Sequence, residues 1–523
     1  MRERITYVQK LGDSLAPSAV TVDGGTIRGP EVHAAREDRL TIALDELPPE
    51  LRALLRSTQG LHIRWVGTVA YEAVSPLLAR LPPGFHVLFP PIPSIVDDIA
   101  SYVIKLPRST QKHALRLALR GSLCATLVKI FGDISCSGPA ESFTSLPEGR
   151  LQYYQQLDSL SHFIQYAKDQ LCRGSGSSCA ARLDSLSKAA SLDISYDASQ
   201  QVLRITALWP YQRQLVHATS DARLRTEVGI LSTDQPQTLE PHEVGISGLL
   251  TVLGQDSKPS PTMFAFASRH RDAESSFSAQ FLSPTGLHPT LQLRLDSRKP
   301  PAFRCAPYAY LTLPRTIFAD KYQLSDPLFL ASKNLTALRY TTQPVDLEAP
   351  EYVTPQWGSA VLVQLSPPSG LQPRGKQKQK QKQEQHLEQW TAEIPLHLRY
   401  LAPAPGGYST IRVPYPAVFW ACEADEGVEF PPSPFEKAHL GYDALFSPRT
   451  VFWHVEPRPA EGRLLVSSLT VPVLDVDKAG WVSAGTAAAV LAGFVWVAWK
   501  LLGVYLRDGY GAGRKVEGEK KRQ

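Results

Sequence analysis

Three carboxylates, Asp346, Glu348 and Glu351, fall within one short stretch of the chain. That spacing would let them hold a divalent cation or divide acid and base roles between them. Pro350 interrupts the stretch, and carboxylates flanking a proline in a polar turn read first as solvated surface groups. Asp475 and Asp477 form a second acidic pair just before a long apolar run, where a solvated loop accounts for them. The six cysteines, at 124, 136, 172, 179, 305 and 422, offer redox chemistry instead. Cys172 and Cys179 enclose Arg-Gly-Ser-Gly-Ser-Ser and could close a small ring. Cys305 and Cys422 are the only two in the C-terminal half, and pair with each other if both are oxidised within it. Cys124 and Cys136 complete the candidate disulfide residues. Six thiols allow fifteen connectivities, and free buried thiols are the equal alternative.

No Cys-x-x-Cys or Cys/His spacing points to zinc. A nucleophile elbow, a His-Glu-x-x-His helix, a P-loop and a dinucleotide fingerprint are all missing from the sequence. No catalytic, cofactor-binding or metal-ligating residue is therefore assigned, and no cofactor is expected. This moves the expectation from catalysis towards binding or scaffolding. One modification site stands out: the chain's single asparagine, Asn334, opens the N-glycosylation sequon Asn334-Leu335-Thr336.

The segment that must position any function is the apolar run Ala479–Trp499, which carries no charge. A helix of that length spans about 31 Å, matching the ~30 Å hydrocarbon core of a bilayer. Trp481 lies at one edge of it, and Trp496, Trp499 and Tyr505 at the other, as expected of interfacial anchors. Lys500 can snorkel to the interface. Residues 479–506 are thus expected to form one transmembrane helix. Seven Lys and Arg follow from Lys500 onwards, whereas Leu464–Lys478 carries one. The positive-inside rule then puts a basic tail, 507–523, in the cytosol and the bulk of the chain on the luminal side. The N-terminus shows no apolar signal region, so a tail-anchored, cytosolic arrangement is the rival topology. Within the helix, Gly485, Ala489 and Gly493 recur every four residues along one face, a pattern that permits close approach of another helix in lipid.

Of the net charge of +5, the segment from Lys500 supplies four and the run Lys376-Gln-Lys-Gln-Lys-Gln-Lys-Gln-Glu-Gln three. The remainder is −2, which excludes a basic nucleic-acid footprint on the folded part. Residues 1–260 read as mixed α/β. Asp38-Arg-Leu-Thr-Ile-Ala-Leu and Leu61-His-Ile-Arg-Trp-Val alternate like strands, and Pro48-Pro-Glu-Leu-Arg-Ala-Leu-Leu opens a helix. Gly149–Leu171 has helical spacing. A hairpin is expected around Asp-Ala-Ser-Gln-Gln between Leu192 and Trp209, and a loop or linker from Thr233 to Pro261. Residues 277–475 show dense short strands between Pro/Gly-rich turns, the texture of a β-sandwich-like domain. It is interrupted by a disordered Lys/Gln insertion at 372–388.

An ordered series of motifs fills the C-terminal half. It runs through Phe281-Leu-Ser-Pro-Thr-Gly-Leu-His-Pro-Thr-Leu, Cys305-Ala-Pro-Tyr-Ala-Tyr-Leu-Thr-Leu-Pro and Phe318-Ala-Asp-Lys-Tyr-Gln-Leu. It continues with Asp346-Leu-Glu-Ala-Pro, Ile394-Pro-Leu-His-Leu-Arg-Tyr-Leu-Ala-Pro and Pro416-Ala-Val-Phe-Trp-Ala-Cys-Glu, and ends in the single span. This series resembles the PIG-X family, in particular its fungal branch, the protease-B-nonderepressible proteins. Arg4-Ile-Thr-Tyr and Ala35-Arg-Glu-Asp-Arg-Leu-Thr resemble that branch too. The resemblance implies an endoplasmic-reticulum glycoprotein without catalysis of its own. It would be an accessory subunit that stabilises a polytopic PIG-M-type mannosyltransferase, the enzyme that adds the first mannose to the glycosylphosphatidylinositol (GPI) precursor. The fungal branch is also linked to folding of secretory proteins, which makes a luminal chaperone the alternative. A glycosyl hydrolase or transferase in its own right is the third reading.

Overall fold

The computed structural model describes residues 1–56, 58–89, 123–136, 142–147, 150–172, 177–220, 224–236, 239–240, 242–342, 346–367 and 389–508. The Lys/Gln insertion and the tail beyond Asp508 lie outside the described residues. The chain divides into two compact units: Met1–Tyr400 with Ile411–Leu469, and Leu401–Thr410 with the chain from Thr470.

The first unit is built on two large sheets. One runs in the order Ser260–Ala267, Glu243–Val252, Arg225–Asp234, Arg2–Gln9, Thr26–Ala43 and Val202–Thr219. It continues through Ser191–Asp197, Gly60–Val66, Gly84–Phe89, Leu151–Gln155 and Thr144–Ser145, with Thr21–Asp23 hairpinned onto Thr26–Ala43. All its pairings are antiparallel except that of Arg2–Gln9 with Arg225–Asp234. The two longest strands, Thr26–Ala43 and Val202–Thr219, pair over almost their full length with shifts between Arg28/Glu31 and Ala34/Arg36. Each shift has a proline at its centre. Pro30 falls in the first and Pro210, opposite, in the second, where a missing N–H would otherwise break the ladder.

The other sheet runs in the order Leu335–Thr341, Gly358–Leu365, Cys305–Pro314, Ala417–Glu423, Thr450–Pro457, His270–Phe281, Thr290–Leu295 and Trp390–Pro395. Its central strands Cys305–Pro314, Gly358–Leu365 and Ala417–Glu423 are buried along nearly every residue. A strand covered on both faces reads as a continuous apolar run, as these do. One of those faces belongs to the core shared with the larger sheet, which joins Tyr154 to Tyr310, Leu362 and Phe419, with Gln152 hydrogen-bonded to the Tyr310 hydroxyl. The sandwich is therefore made between the sheets. The other face of the larger sheet is covered by helices: Phe131, in the helix of residues 123–131, contacts Phe85 at 4.7 Å and stacks at 5.2 Å on Phe163 of the helix Ser161–Leu171.

Several local expectations need revision. Thr233–Pro261 is mostly strand rather than linker: Glu243–Val252 pairs with both Arg225–Asp234 and the edge strand Ser260–Ala267. Its glycines disguised it. A Cβ at Gly248 (φ +153°) would lie 2.2 Å from the Ile230 carbonyl oxygen, so crowding, not looseness, demands glycine there. Pro261 is tolerated because its strand is at the edge. Gly149–Leu171 begins with the strand Leu151–Gln155 and is helical only from Ser161. The expected hairpin is present, with Asp197 paired to Val202.

In the second unit, Ala404 bridges to Asp475, and the Val473 N–H donates to the Gly407 carbonyl at 2.9 Å. The helix Ala479–Asp508 follows, with its apolar side chains exposed along its length. It is the one described helix long and apolar enough to cross a membrane. Lys500 sits 5.4 Å from the Trp499 ring and 5.9 Å from that of Trp496, a cation over the aromatic girdle expected at an interface.

Candidate functional site

Alternation in Leu61-His-Ile-Arg-Trp-Val sends Leu61, Ile63 and Trp65 into the apolar core and His62 and Arg64 to the opposite face. In a one-sided sheet that face would be wet. Here it is buried, and it carries a polar row held in strict register across six strands: Arg4, Arg39, Thr206, Asp193, Arg64 and His86. The row is closed over by the segment 432–446.

That segment is held down by charge and by rings. Lys437 donates to the Asp193 carboxylate at 2.6 Å, which also pairs with Arg64 at 3.1 Å. Arg64 Nη2 donates to the Ala438 carbonyl at 2.5 Å, and Arg4 Nη2 to that of Pro434 at 3.0 Å. The His439 ring stacks on His62 at 3.9 Å. From the second sheet, His270 is hydrogen-bonded to the Lys437 carbonyl at 3.2 Å and to His454 at 3.0 Å. Tyr442 is fully buried between Phe419 and Phe452.

Burial sets the protonation of this seam. It pulls His62 down to about 2, with His439 and Arg64 adding to the effect, and takes His86 and His270 down to about 4. His454 is held well below its ordinary value for the same reason, with His270 contributing. The imidazoles are therefore neutral at physiological pH. Burial pushes the Glu436 carboxyl up to about 7 against the pull of Arg269. Burial would also raise Asp193, but Lys437 and Arg64 outweigh it and keep that carboxyl below its usual range.

Between the sheet and the segment 432–446 lies a cavity of about 690 Å³. Its floor includes Arg39, Arg64 and Asp193, its roof Ser433, Glu436 and Lys437, and exposed Gln59 and Gln200 stand at its rim. Neutral histidines, cations and one carboxyl titrating near neutrality equip it to bind a polar ligand.

A family model described as PIG-X / PBN1 matches residues 284–502. Protein pbn1 of Neurospora crassa is 58% identical over 519 residues, covering 98% of this chain and 97% of its own. Protein PBN1 of Gibberella zeae is 45% identical over 516 residues, covering 97% of each, and protein pbn1 of Aspergillus oryzae is 34% identical over the whole of both. This chain belongs to the PIG-X/PBN1 family. The PIG-X/PBN1 match takes in the eight-stranded sheet from Thr290 onwards, the segment 432–446 and most of the apolar helix, whereas the seam's floor comes from the N-terminal sheet.

The residues singled out from sequence are dispersed around this PIG-X/PBN1 fold. Asn334 has φ +55° and immediately precedes the edge strand Leu335–Thr341; its Nδ2 donates to the Thr391 carbonyl at 2.8 Å. The structure bonds Cys124 to Cys136, Cys172 to Cys179 and Cys305 to Cys422. The last pair are direct cross-strand neighbours with a Cα separation of 4.1 Å. Asp346 Oδ1 accepts from the Glu348 and Ala349 backbone N–H groups, and Glu351 pairs with Arg315 at 2.6 Å. Turn and surface roles thus account for both. Gly485, Ala489 and Gly493 are exposed on the apolar helix. The aromatic segment Pro414–Trp420 belongs to the core: Tyr415, Phe419 and Trp420 are buried. The seam itself went unseen. The signal was present in His62 and Arg64, but alternation cannot say that the polar face of a strand will be covered.

Proposed function

We propose that the chain is a non-catalytic, membrane-anchored subunit of a glycosyltransferase complex. It binds and stabilises the polytopic PIG-M-type mannosyltransferase that adds the first mannose to the GPI-anchor precursor in the endoplasmic reticulum. The observation that carries this reading is the helix Ala479–Asp508. Its apolar side chains are exposed from Trp481 to Leu506, and one face offers Gly485, Ala489 and Gly493 to another helix. One span cannot enclose a polyprenyl donor within the bilayer, so the chemistry belongs to a partner with many. Family membership supports the assignment. The three disulfides favour an oxidising compartment, and with it a luminal bulk domain and a cytosolic tail.

The test is the pair Gly485→Leu and Gly493→Leu. Both keep the span hydrophobic while blocking close helix approach. Membrane insertion should be normal, co-purification of the mannosyltransferase in mild detergent reduced, and unmannosylated GPI precursor should accumulate. Wild-type recovery of the complex from the double variant would overturn the helix assignment. Loss of mannose transfer in Asp346→Ala with the complex intact would overturn the non-catalytic one.

A further inference from the structure

The second compact unit holds more than the apolar helix. It also takes in Leu401–Thr410, a segment from far earlier in the chain. Backbone bonds fix that segment to the root of the helix. The Ala404 N–H donates to the Leu474 carbonyl at 3.1 Å, the Val473 N–H to that of Gly407 at 2.9 Å, and the Val476 N–H to that of Ala404 at 3.4 Å. Gly406 and Gly407, at φ +78° and +74°, turn the chain between Ala404 and Tyr408. The turn Val476–Lys478 then runs straight into the helix at Ala479.

The surface so formed is apolar where a solvated loop would carry charge. Neither Leu401–Thr410 nor Thr470–Leu474 contains a charged residue, in a chain of which 20% is charged. Tyr408 is 65% exposed, Leu474 42% and Val476 47%. Large apolar side chains gathered in the open mark a contact with something apolar. Depth identifies it. The charge-free run Ala479–Trp499 fills a hydrocarbon core of ~30 Å, so Ala479 lies at one edge of that core. At ~2 Å per residue the turn sets Val476 roughly 6 Å further out. That is within the headgroup layer, about 5–7 Å on each side. Leu474 and, through Gly407, Tyr408 are tied beside it, and a tyrosine ring favours this level. Charge suits a zwitterionic leaflet. Asp475 accepts from the Asp477 N–H at 3.1 Å and pairs with Lys478 at 3.5 Å, so two of the three charges at the root of the helix cancel.

We propose that Leu401–Thr410 and Val473–Lys478 form a second membrane contact. Tyr408, Leu474 and Val476 enter the lipid headgroup layer at the N-terminal end of the helix, and the segment from earlier in the chain clamps the root of the anchor. This inference rests on the reading of Ala479–Asp508 as a membrane span.

Spin labels on the full chain in phosphatidylcholine bilayers test it. The native cysteines are paired, so only an introduced thiol takes the label. The sites are Tyr408→Cys, Leu474→Cys and Val476→Cys, compared with Leu491→Cys in mid-helix and Leu328→Cys, an exposed site of the first unit. Collision is measured with oxygen, which concentrates in lipid, and with a neutral nickel chelate, which stays in water. The oxygen-to-nickel ratio at the three sites should fall between those of Leu491→Cys and Leu328→Cys, and severalfold above the latter. Ratios at all three equal to that of Leu328→Cys, with Leu491→Cys still closed to nickel, would overturn the lipid contact and leave the span standing. Nickel access at Leu491→Cys would sink the span and the contact together. Shielding of the three sites from both reagents would assign the patch to a second copy of this chain and overturn lipid as its occupant.

Discussion

His62, His86 and His270 are neutral when folded and take up protons when unfolded at an ordinary pKa near 6.5. Their stabilisation is complete above pH 6.5 and is lost as pH falls, down to about 4 for His86 and His270 and to about 2 for His62. Each contributes up to about 2 kcal/mol of destabilisation at pH 5 by linkage. Glu436 has the opposite sign: its folded pKa of about 7 exceeds the ordinary 4.5, so its contribution is present in acid and lost as pH rises through 7. Three imidazoles outweigh one carboxyl, and the denaturation midpoint should fall between pH 7 and pH 5. Glu436→Gln should be more stable than wild type at pH 8, by about 1–3 kcal/mol, and lose that advantage at pH 4.5. An equal difference at both pH values would remove Glu436 from this account. Asn334 yields a second expectation. Its Nδ2 bond and positive φ make Asn334→Gln a poor control for glycosylation, because that change disturbs the fold. Exposed Thr336 is the better site: Thr336→Ala should erase an endoglycosidase-sensitive mobility shift while leaving Tm within about 1–2 °C. Residue types were plain in the sequence, but their burial was not: His62 and Arg64 are covered by a segment that follows far along the chain, Arg64 and Ala438 being 374 residues apart.

Among the elements, those built from local alternation were legible. The hairpin Ser191–Asp197/Val202–Thr219, the strand Gly60–Val66 and the apolar helix each declare themselves within their own residues. Glu243–Val252 did not, because Gly245 and Gly248 lower strand propensity where the neighbouring backbone comes too close for a side chain. Gly248→Ala should therefore destabilise by more than the usual ~1 kcal/mol of a glycine replacement, with its φ of +153° and the Ile230 carbonyl both opposed to a Cβ. Chemical denaturation measures this directly. Wild-type stability would show that the pairing with Arg225–Asp234 can slide to make room. The strand Leu151–Gln155 was hidden for another reason: Leu-Gln-Tyr-Tyr-Gln is covered on both faces, so it lacks the clean apolar/polar alternation that marks a strand.

For the whole molecule, β-rich architecture with one terminal helix follows from texture and hydropathy, but the layering does not. The sequence of residues 277–475 suggests a sandwich closed on itself, whereas the partner layer comes from the N-terminal sheet, through contacts such as Gln152 Nε2 to the Tyr310 hydroxyl at 3.1 Å. The disulfide Cys305–Cys422 ties adjacent strands across 117 residues of sequence. Replacing both by Ser should cost about 4–5 kcal/mol in the chain-entropy account. A loss below 1 kcal/mol would mean that the sheet already confines the reduced chain. The parallel pairing of Arg2–Gln9 with Arg225–Asp234 has its own consequence for synthesis. The strand at the start of the chain can hairpin early with Thr26–Ala43, but its other edge stays open until residue 234 has been made. At ~5–20 residues per second that interval is roughly 10–45 s. During it an unpaired strand edge is exposed to every other nascent chain nearby. Closure of this sheet, rather than insertion of the anchor that follows some 250 residues later, is then the step at which a growing molecule most needs protection from its neighbours.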